Sequence, residues 1–353
     1  MIEPRRIVVR GPNWLGDLVM AAPSIRAVAD RWREATVQVA VPAAFAPLVP
    51  LLHPRVTGLG LEGGGVRALN RHVEQLRGGA FDLALLLTNS FASALAVRRA
   101  GIPERWGYRR DGRGWLLTRA VQRRRVRRTS PHHADYYAGL LEALDLPRPP
   151  LDVQAVLPQA VRTEAVALLR EAGWDGRAAL LACAPGAAYG TAKQWPPAHV
   201  ARVVDGWTAD GGCVVLVGAP ADRVAATQVL AHAASRGGDE PRGHVIDMTG
   251  RTSLLMLAGV LRAASRVLAN DSGAMHLAAA LGTPTVTVFG PTREEATAPL
   301  GPHRILTHDV WCRPCMLREC PLDHRCMIRV TPQMVMRAAE ELLGKAPTAL
   351  PVL

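Results

Sequence analysis

Lysine is nearly missing from this 353-residue chain: only Lys193 and Lys345 stand beside forty arginines. Charged residues make up 20% and hydrophobic residues 49%, a balance that excludes a disordered chain and calls for substantial cores. No apolar run reaches the length of a membrane span, which argues against a helical membrane protein. Met1-Ile2-Glu3-Pro4-Arg5-Arg6 lacks the apolar h-region of a signal peptide, so a soluble cytoplasmic protein is expected. The G-x-x-x-x-G-K-[ST] spacing of a P-loop is absent, and neither of the two Gly-rich turns discussed below matches G-x-G-x-x-G. Both a P-loop NTPase and a dinucleotide dehydrogenase are therefore disfavoured. No internal repeat is visible.

What is present in excess is positive charge. The net charge is +12, and residues 101–130 hold ten arginines (Arg105, Arg109, Arg110, Arg113, Arg119, Arg123, Arg124, Arg125, Arg127, Arg128) against Glu104 and Asp111. Such a block points to a polyanionic partner: nucleic acid, anionic lipid headgroups or a phosphorylated glycan. The competing reading is a solvated surface in an arginine-rich chain.

Strand and helix patterns alternate from the start. Arg6–Arg10 reads as a strand, Gly11-Pro12-Asn13-Trp14-Leu15-Gly16-Asp17 as a Gly-bounded loop, and a helix is predicted from about Pro23 to Trp32. Phe81–Leu87 reads as a buried parallel strand. Prolines crowd at Leu146-Pro147-Arg148-Pro149-Pro150, which marks a linker, and the alternation then restarts with a strand at Ala178–Ala184. The pattern predicts an α/β chain of two doubly wound, Rossmann-like domains, 1–150 and 151–353, facing each other across a cleft, with the last helix free to pack back on the first domain.

Two turns look built for phosphate. Pro185-Gly186-Ala187-Ala188-Tyr189-Gly190-Thr191-Ala192-Lys193-Gln194-Trp195-Pro196 follows a strand and combines glycines, a hydroxyl and a lysine. In a chain so poor in lysine, Lys193 hints at a site that needs a compact point charge. The second turn, Asn270-Asp271-Ser272-Gly273-Ala274-Met275-His276, ends a strand and opens a helix, the arrangement that presents backbone N–H groups to an anion. Asp17 either caps a helix or acts as a general base. Asp222 follows Val217-Gly218, where open α/β sheets bind a ribose hydroxyl. His276 is either a core histidine or a ligand contact.

In combination these stretches resemble a known family. Asn13-Trp14-Leu15-Gly16-Asp17 with Met20-Ala21-Ala22-Pro23, then Pro185-Gly186-Ala187 with Lys193-Gln194-Trp195-Pro196, then Asn270–His276 and Phe289-Gly290-Pro291-Thr292, are similar to the bacterial ADP-heptose:lipopolysaccharide heptosyltransferases, most of all the second enzyme of the inner core. The resemblance runs through essentially the whole chain. It implies a GT-B architecture, no cofactor, no metal and an inverting transfer from ADP-heptose to a lipid A–Kdo–heptose acceptor at the inner leaflet, by a monomer in peripheral contact with the membrane. On this implication Asp17 is the base and Lys193 stabilises the leaving pyrophosphate. Gly16, Gly186, Ala187, Thr191, Asp222, Asp271, Ser272, Gly273, Met275 and His276 contact the donor. The acceptor candidates, Arg105, Arg109, Arg110 and Arg113, come from the sign of the arginine block, which matches no motif of the family.

Cys312, Cys315, Cys320 and Cys326, with His324 between the last two, are spaced like a compact zinc knuckle, and a structural metal is the alternative to a reduced thiol cluster. Cys183 and Cys213 read as core residues. Two rival functions stay open at this stage: a transferase using another nucleotide-sugar, and a nucleic-acid-binding protein using the arginine block with Trp106, Tyr108 and Trp115.

Overall fold

A computed structural model describes residues 2–63, 68–123, 132–234 and 244–342. Contacts divide the chain into two compact units, Met1–Val156 and Leu157–Leu353, so the boundary falls just downstream of the Pro-rich stretch.

The first unit holds six strands: β1 (Arg6–Arg10), β2 (Thr36–Pro42), β3 (Val56–Leu61), β4 (Leu83–Leu86), β5 (Glu104–Tyr108) and β6 (Arg119–Val121). All pair in parallel, in the order β3-β2-β1-β4-β5-β6. The second unit repeats the plan with β7 (Leu180–Ala184), β8 (Cys213–Leu216), β9 (Val245–Asp247), β10 (Arg266–Asn270), β11 (Thr285–Val288) and β12 (His303–Leu306), in the order β12-β11-β10-β7-β8-β9. Each is the doubly wound order, and each has one point where the strand order reverses, β1 beside β4 and β7 beside β10. Central strands such as Ile7-Val8-Val9 and Leu83–Leu86 are buried on both faces, which explains their unbroken apolar runs.

Local chemistry sets the helix ends. Ser90, Ser253 and Thr331 each accept the backbone N–H of the residue three positions on, starting the helices Phe91–Arg99, Leu254–Ala263 and Pro332–Glu341. The helix Pro332–Glu341 packs on the helix Pro197–Ala209 and on β11 and β12 of its own unit. Gln159–Glu171 is a further helix that the sequence pattern did not announce; it rests against Leu254–Ala263.

One correction matters for function. The predicted loop at Gly11–Asp17 is shorter than expected, because a helix already starts at Leu15 (Leu15–Met20) and is followed at once by Ala22–Arg31. Asp17 thus stands in a helical first turn. Among the described residues no helix is long and apolar enough to cross a membrane.

Candidate active site

Ligands of open parallel sheets sit outside the carboxyl ends of the strands, at the reversal point. In the first unit that is the end of β1. Its last residue, Arg10, is buried, and its guanidinium donates to the carbonyls of Gly11 and Ala40 (3.0 Å) and to Asn13 Oδ1 (2.6 Å). Burial lowers its pKa to about 10, so it remains charged at neutral pH. This internal cation fixes the Asn13-Trp14 turn from below. Trp14 is extended and stands at the N-cap position of the helix that carries Gly16 and Asp17, with no side-chain cap hydrogen bond among the described residues.

The Asp17 carboxylate meets a partner from far along the chain. Its Oδ1 lies 3.1 Å from Nδ1 of His133, the first residue of the helix His133–Ala143. Tyr137, one turn further on, is buried close enough for the Asp17 charge to help raise its phenol pKa, after burial itself. No sequence signal singled out His133.

The arginines of residues 101–123 divide by burial. Arg113 is fully buried and donates to the carbonyls of Tyr108 (3.2 Å) and Thr88 (2.5 Å) and to Asn89 Oδ1 (3.4 Å), so it has no surface to offer an acceptor. The Arg105 guanidinium is likewise taken up by the carbonyls of Leu116 (2.8 Å), Ile102 (2.6 Å) and Pro103 (2.8 Å). Burial lowers the pKa of both. For these two the expectation of acceptor contact gives way to a structural role, since their guanidinium N–H groups are taken up by neutral backbone carbonyl oxygens. Arg109 and Arg110 are exposed and line an open cavity of about 330 Å³ with Asp111, Gly112, Gly114 and Trp115. Arg124, Arg125, Arg127 and Arg128 lie outside the described residues.

In the second unit the reversal point brings together the two phosphate-type turns. Asn270, last residue of β10 and buried, accepts the Trp195 N–H at Oδ1 (3.0 Å) and donates to the carbonyls of Pro185 (2.8 Å) and Gly186 (3.1 Å). One amide therefore ties both ends of the Pro185–Trp195 loop. Trp195 anchors that loop in the core and donates from Nε1 to the Val330 carbonyl at 2.9 Å.

Within the loop, a single turn at Thr191–Lys193 carries Lys193 Nζ to 2.6 Å from Asp271 Oδ2. The same oxygen accepts the Thr292 hydroxyl at 2.6 Å. Ser272 precedes the helix Gly273–Ala280 in extended conformation without capping it, and its buried Oγ has no hydrogen-bond partner among the described residues. The first-turn N–H groups of that helix are thus left uncapped by a side chain, beside an ammonium, and suit a phosphate. His276 is buried, and Met275 is fully buried with its sulfur accepting the Thr287 hydroxyl at 3.1 Å. The Met275 side chain consequently belongs to the core, and only its backbone is available to a donor.

Asp222 lies in the turn Pro220–Asp222 after β8, where Oδ2 accepts the Ala219 N–H at 2.8 Å. Burial raises its pKa. A Cβ on Gly186 would lie 2.0 Å from Asp222 Oδ1, so glycine is what lets the loop pass this carboxylate. Ala187 is buried and Thr191 exposed on the same loop.

The cysteine segment packs beside these turns. Among the described residues no three His, Cys, Asp or Glu side chains are grouped to hold a metal, while Cys312, Cys320 and Cys315 lie near enough to Cys326 to help raise its thiol pKa, after burial itself. The segment braces both turns. Arg313 donates to the Gly290 carbonyl at 2.8 Å and pairs with Glu294, and the Met316 N–H reaches the Pro291 carbonyl at 2.9 Å. On the other side the Arg318 carbonyl accepts the Ala192 N–H (2.9 Å), the Met316 carbonyl accepts the Tyr189 hydroxyl (2.8 Å), and His324 Nε2 is 2.8 Å from the Ala192 carbonyl. Arg313 is a site-building residue that motif reading passed over, and Thr292, part of the Phe289–Thr292 stretch, is given no role there.

Comparison with known proteins bears on the fold and the family. The model of glycosyltransferase family 9 (heptosyltransferase) matches residues 69–325. Lipopolysaccharide heptosyltransferase 2 of Salmonella typhimurium is 30% identical over 96% of this chain and 99% of its own, and the Escherichia coli protein of the same name is 30% identical over 96% and 98%. The solved structure of E. coli ADP-heptose lipopolysaccharide heptosyltransferase II, 29% identical, superposes with a TM-score of 0.78 over 96% of this chain and 98% of that one. An E. coli heptosyltransferase solved with ADP, at 18% identity and a TM-score of 0.69 over 96% and 99%, shares the fold. With two doubly wound units of the GT-B type and a matching family model over most of its length, the chain belongs to glycosyltransferase family 9, the heptosyltransferases.

Proposed function

We propose that this glycosyltransferase moves an L-glycero-D-manno-heptosyl group from ADP-heptose to a heptose of the lipopolysaccharide inner core, with inversion and without a metal. The observation that carries the reading is the cluster at the end of β10: a lysine ammonium, a carboxylate and uncapped helix N–H groups at one reversal point. The names of the Salmonella and E. coli relatives support the donor and the acceptor class.

In this reading Asp17 takes the proton of an acceptor hydroxyl as that oxygen bonds to the anomeric carbon. The bond from this carbon to the β-phosphate oxygen breaks, and ADP leaves with the electron pair. Charge then builds on the pyrophosphate, which is where preorganised donors lower a barrier most. Lys193 supplies the cation, aided by Thr191 and by the amides of Gly186, Ala187, Ser272 and Gly273. Asp271 binds heptose hydroxyls, and Asp222 the ribose. Met275 and His276 contribute through the first turn of their helix, and Gly16 keeps the surroundings of Asp17 open. Arg109 and Arg110 have the exposure and sign to meet a phosphorylated acceptor. The protein acts as a monomer at the inner face of the inner membrane, where such an acceptor is presented.

The test is a transfer assay with ADP-heptose on heptose-bearing and heptose-free Kdo-lipid A. Heptosylation of the heptose-bearing acceptor alone is the expected result. Transfer to the heptose-free acceptor would assign the first position instead, and a preference for another nucleotide-sugar would remove the donor assignment.

A further inference from the structure

A carboxylate that serves as a base has two oxygens, and only one can be aimed at the substrate. Left alone in water, it rotates between the two. Asp17 is not left alone: Oδ1 is 3.1 Å from His133 Nδ1. A carboxylate can only accept, so the imidazole must carry its proton on Nδ1, whether neutral or charged. Among the described residues no hydrogen bond reaches Oδ2. The two oxygens are therefore inequivalent, one held by an N–H and one left basic.

The holding group is itself held. His133 opens the helix His133–Ala143, whose start is fixed by His132, with Nδ1 accepting the Ala134 N–H at 3.1 Å. That helix packs against both Leu15–Met20, which carries Asp17, and Ala22–Arg31. Buried Tyr137 and Ala138 pin it in the core. Asp17 and His133 thus sit on two braced elements, and their side chains remain partly exposed, 25% and 48%. A contact so open to solvent contributes little to stability. Its effect is on orientation.

We propose that His133 is a positioning residue for the base, donating from Nδ1 to Asp17 Oδ1 and so leaving Oδ2 to take the acceptor's proton. This rests on the assignment of Asp17 as the base.

Four variants of the full chain test it, assayed with ADP-heptose and heptose-bearing Kdo-lipid A: His133→Ala, His133→Asn, Asp17→Asn and the double variant Asp17→Asn/His133→Ala. The asparagine amide places an N–H close to where Nδ1–H stood and cannot titrate in this range. His133→Ala is expected to lower kcat about 10- to 100-fold, with KM for both substrates and the melting temperature close to those of the parent. His133→Asn is expected to recover most of that loss, and the double variant to be no slower than Asp17→Asn. Parental kcat in His133→Ala, a loss confined to acceptor KM, or an asparagine variant as slow as the alanine one would each overturn the proposal. If those occur while Asp17→Asn is inactive, only the role of His133 falls. If Asp17→Asn keeps its rate, the assignment of the base falls with it.

Discussion

Lys193 Nζ sits 2.6 Å from Asp271 Oδ2, with 12% and 6% of the two side chains exposed, and Thr292 donates to the same oxygen at 2.6 Å. A buried pair of this kind is a poor way to gain stability but an effective way to keep a cation in place. An arriving pyrophosphate would exchange one anionic partner of Lys193 for another, so the ammonium needs no search to find it. On the proposed function, the C-terminal unit would meet the donor with its charge already arranged.

The first prediction concerns that pair. Lys193→Met leaves Asp271 buried with Thr292 alone, and should cost about 3 kcal/mol of stability, since removing one partner strands the other. Lys193→Met/Asp271→Asn should recover most of it in chemical denaturation. Both variants should lose the thermal shift that ADP induces in the parent. An unchanged ADP shift in Lys193→Met would show that the ammonium does not meet the nucleotide.

Asn270→Ala removes three hydrogen bonds at once and leaves buried carbonyls at Pro185 and Gly186 unpaired. The expected loss is about 2–4 kcal/mol, with weaker ADP binding because the phosphate loop loses its tie. Calorimetry with and without ADP measures both effects. A variant that unfolds as the parent does would mean that other contacts hold the loop.

For Asp222 the sign can be worked out. Burial raises its pKa in the folded protein above the unfolded value. Between those two values the folded state binds more protons, so this group's contribution to stability falls as pH rises through that window. Above it, the charged carboxylate is a constant cost. Asp222→Asn keeps an acceptor for the Ala219 N–H, and should melt at or above the parent's temperature at pH 7, with the difference closing in the acid range. The same variant should bind ADP more weakly if Asp222 holds the ribose. A lower melting temperature at pH 7 would contradict the burial argument.

The cysteines should differ sharply in reactivity. Burial pushes the thiols of Cys183 and Cys213 up to about 12 and about 11, and Cys326 is raised by burial and by its cysteine neighbours. Cys315 is exposed. Alkylation at pH 8 followed by peptide mass spectrometry should modify Cys315 first and spare Cys183 and Cys213 until the protein is unfolded. Early labelling of Cys183 would show that its strand opens locally.

Finally, Asp17→Asn should lower turnover by roughly two orders of magnitude or more while ADP-heptose affinity stays within about twofold. Steady-state kinetics and a donor titration separate the two. The reverse pattern, affinity lost and rate kept, would place Asp17 in donor binding.

What could be read along the chain was whatever is written locally. Apolar runs such as Ile7-Val8-Val9 and Leu83–Leu86 mark strands buried on both faces, and serine or proline at helix starts marks where they begin. The turns Pro185–Trp195 and Asn270–Gly273 carry their phosphate character in their own residues. Even here, the helix at Leu15–Met20 escaped notice because six residues are too few to show a period.

The sequence by itself determined the alternating units, the strand ends and the two turns, because these depend on neighbours a few positions apart. Only tertiary structure decided which polar groups stay accessible and which are sealed in the core. Arg113 and Arg109 are indistinguishable as letters, yet one is sealed against backbone carbonyls and the other lines an open cavity. The Asp17–His133, Trp195–Asn270 and Lys193–Asp271 contacts join residues remote in sequence. No local pattern encodes such a pair, since it forms only when two elements far apart along the chain are brought together by the fold.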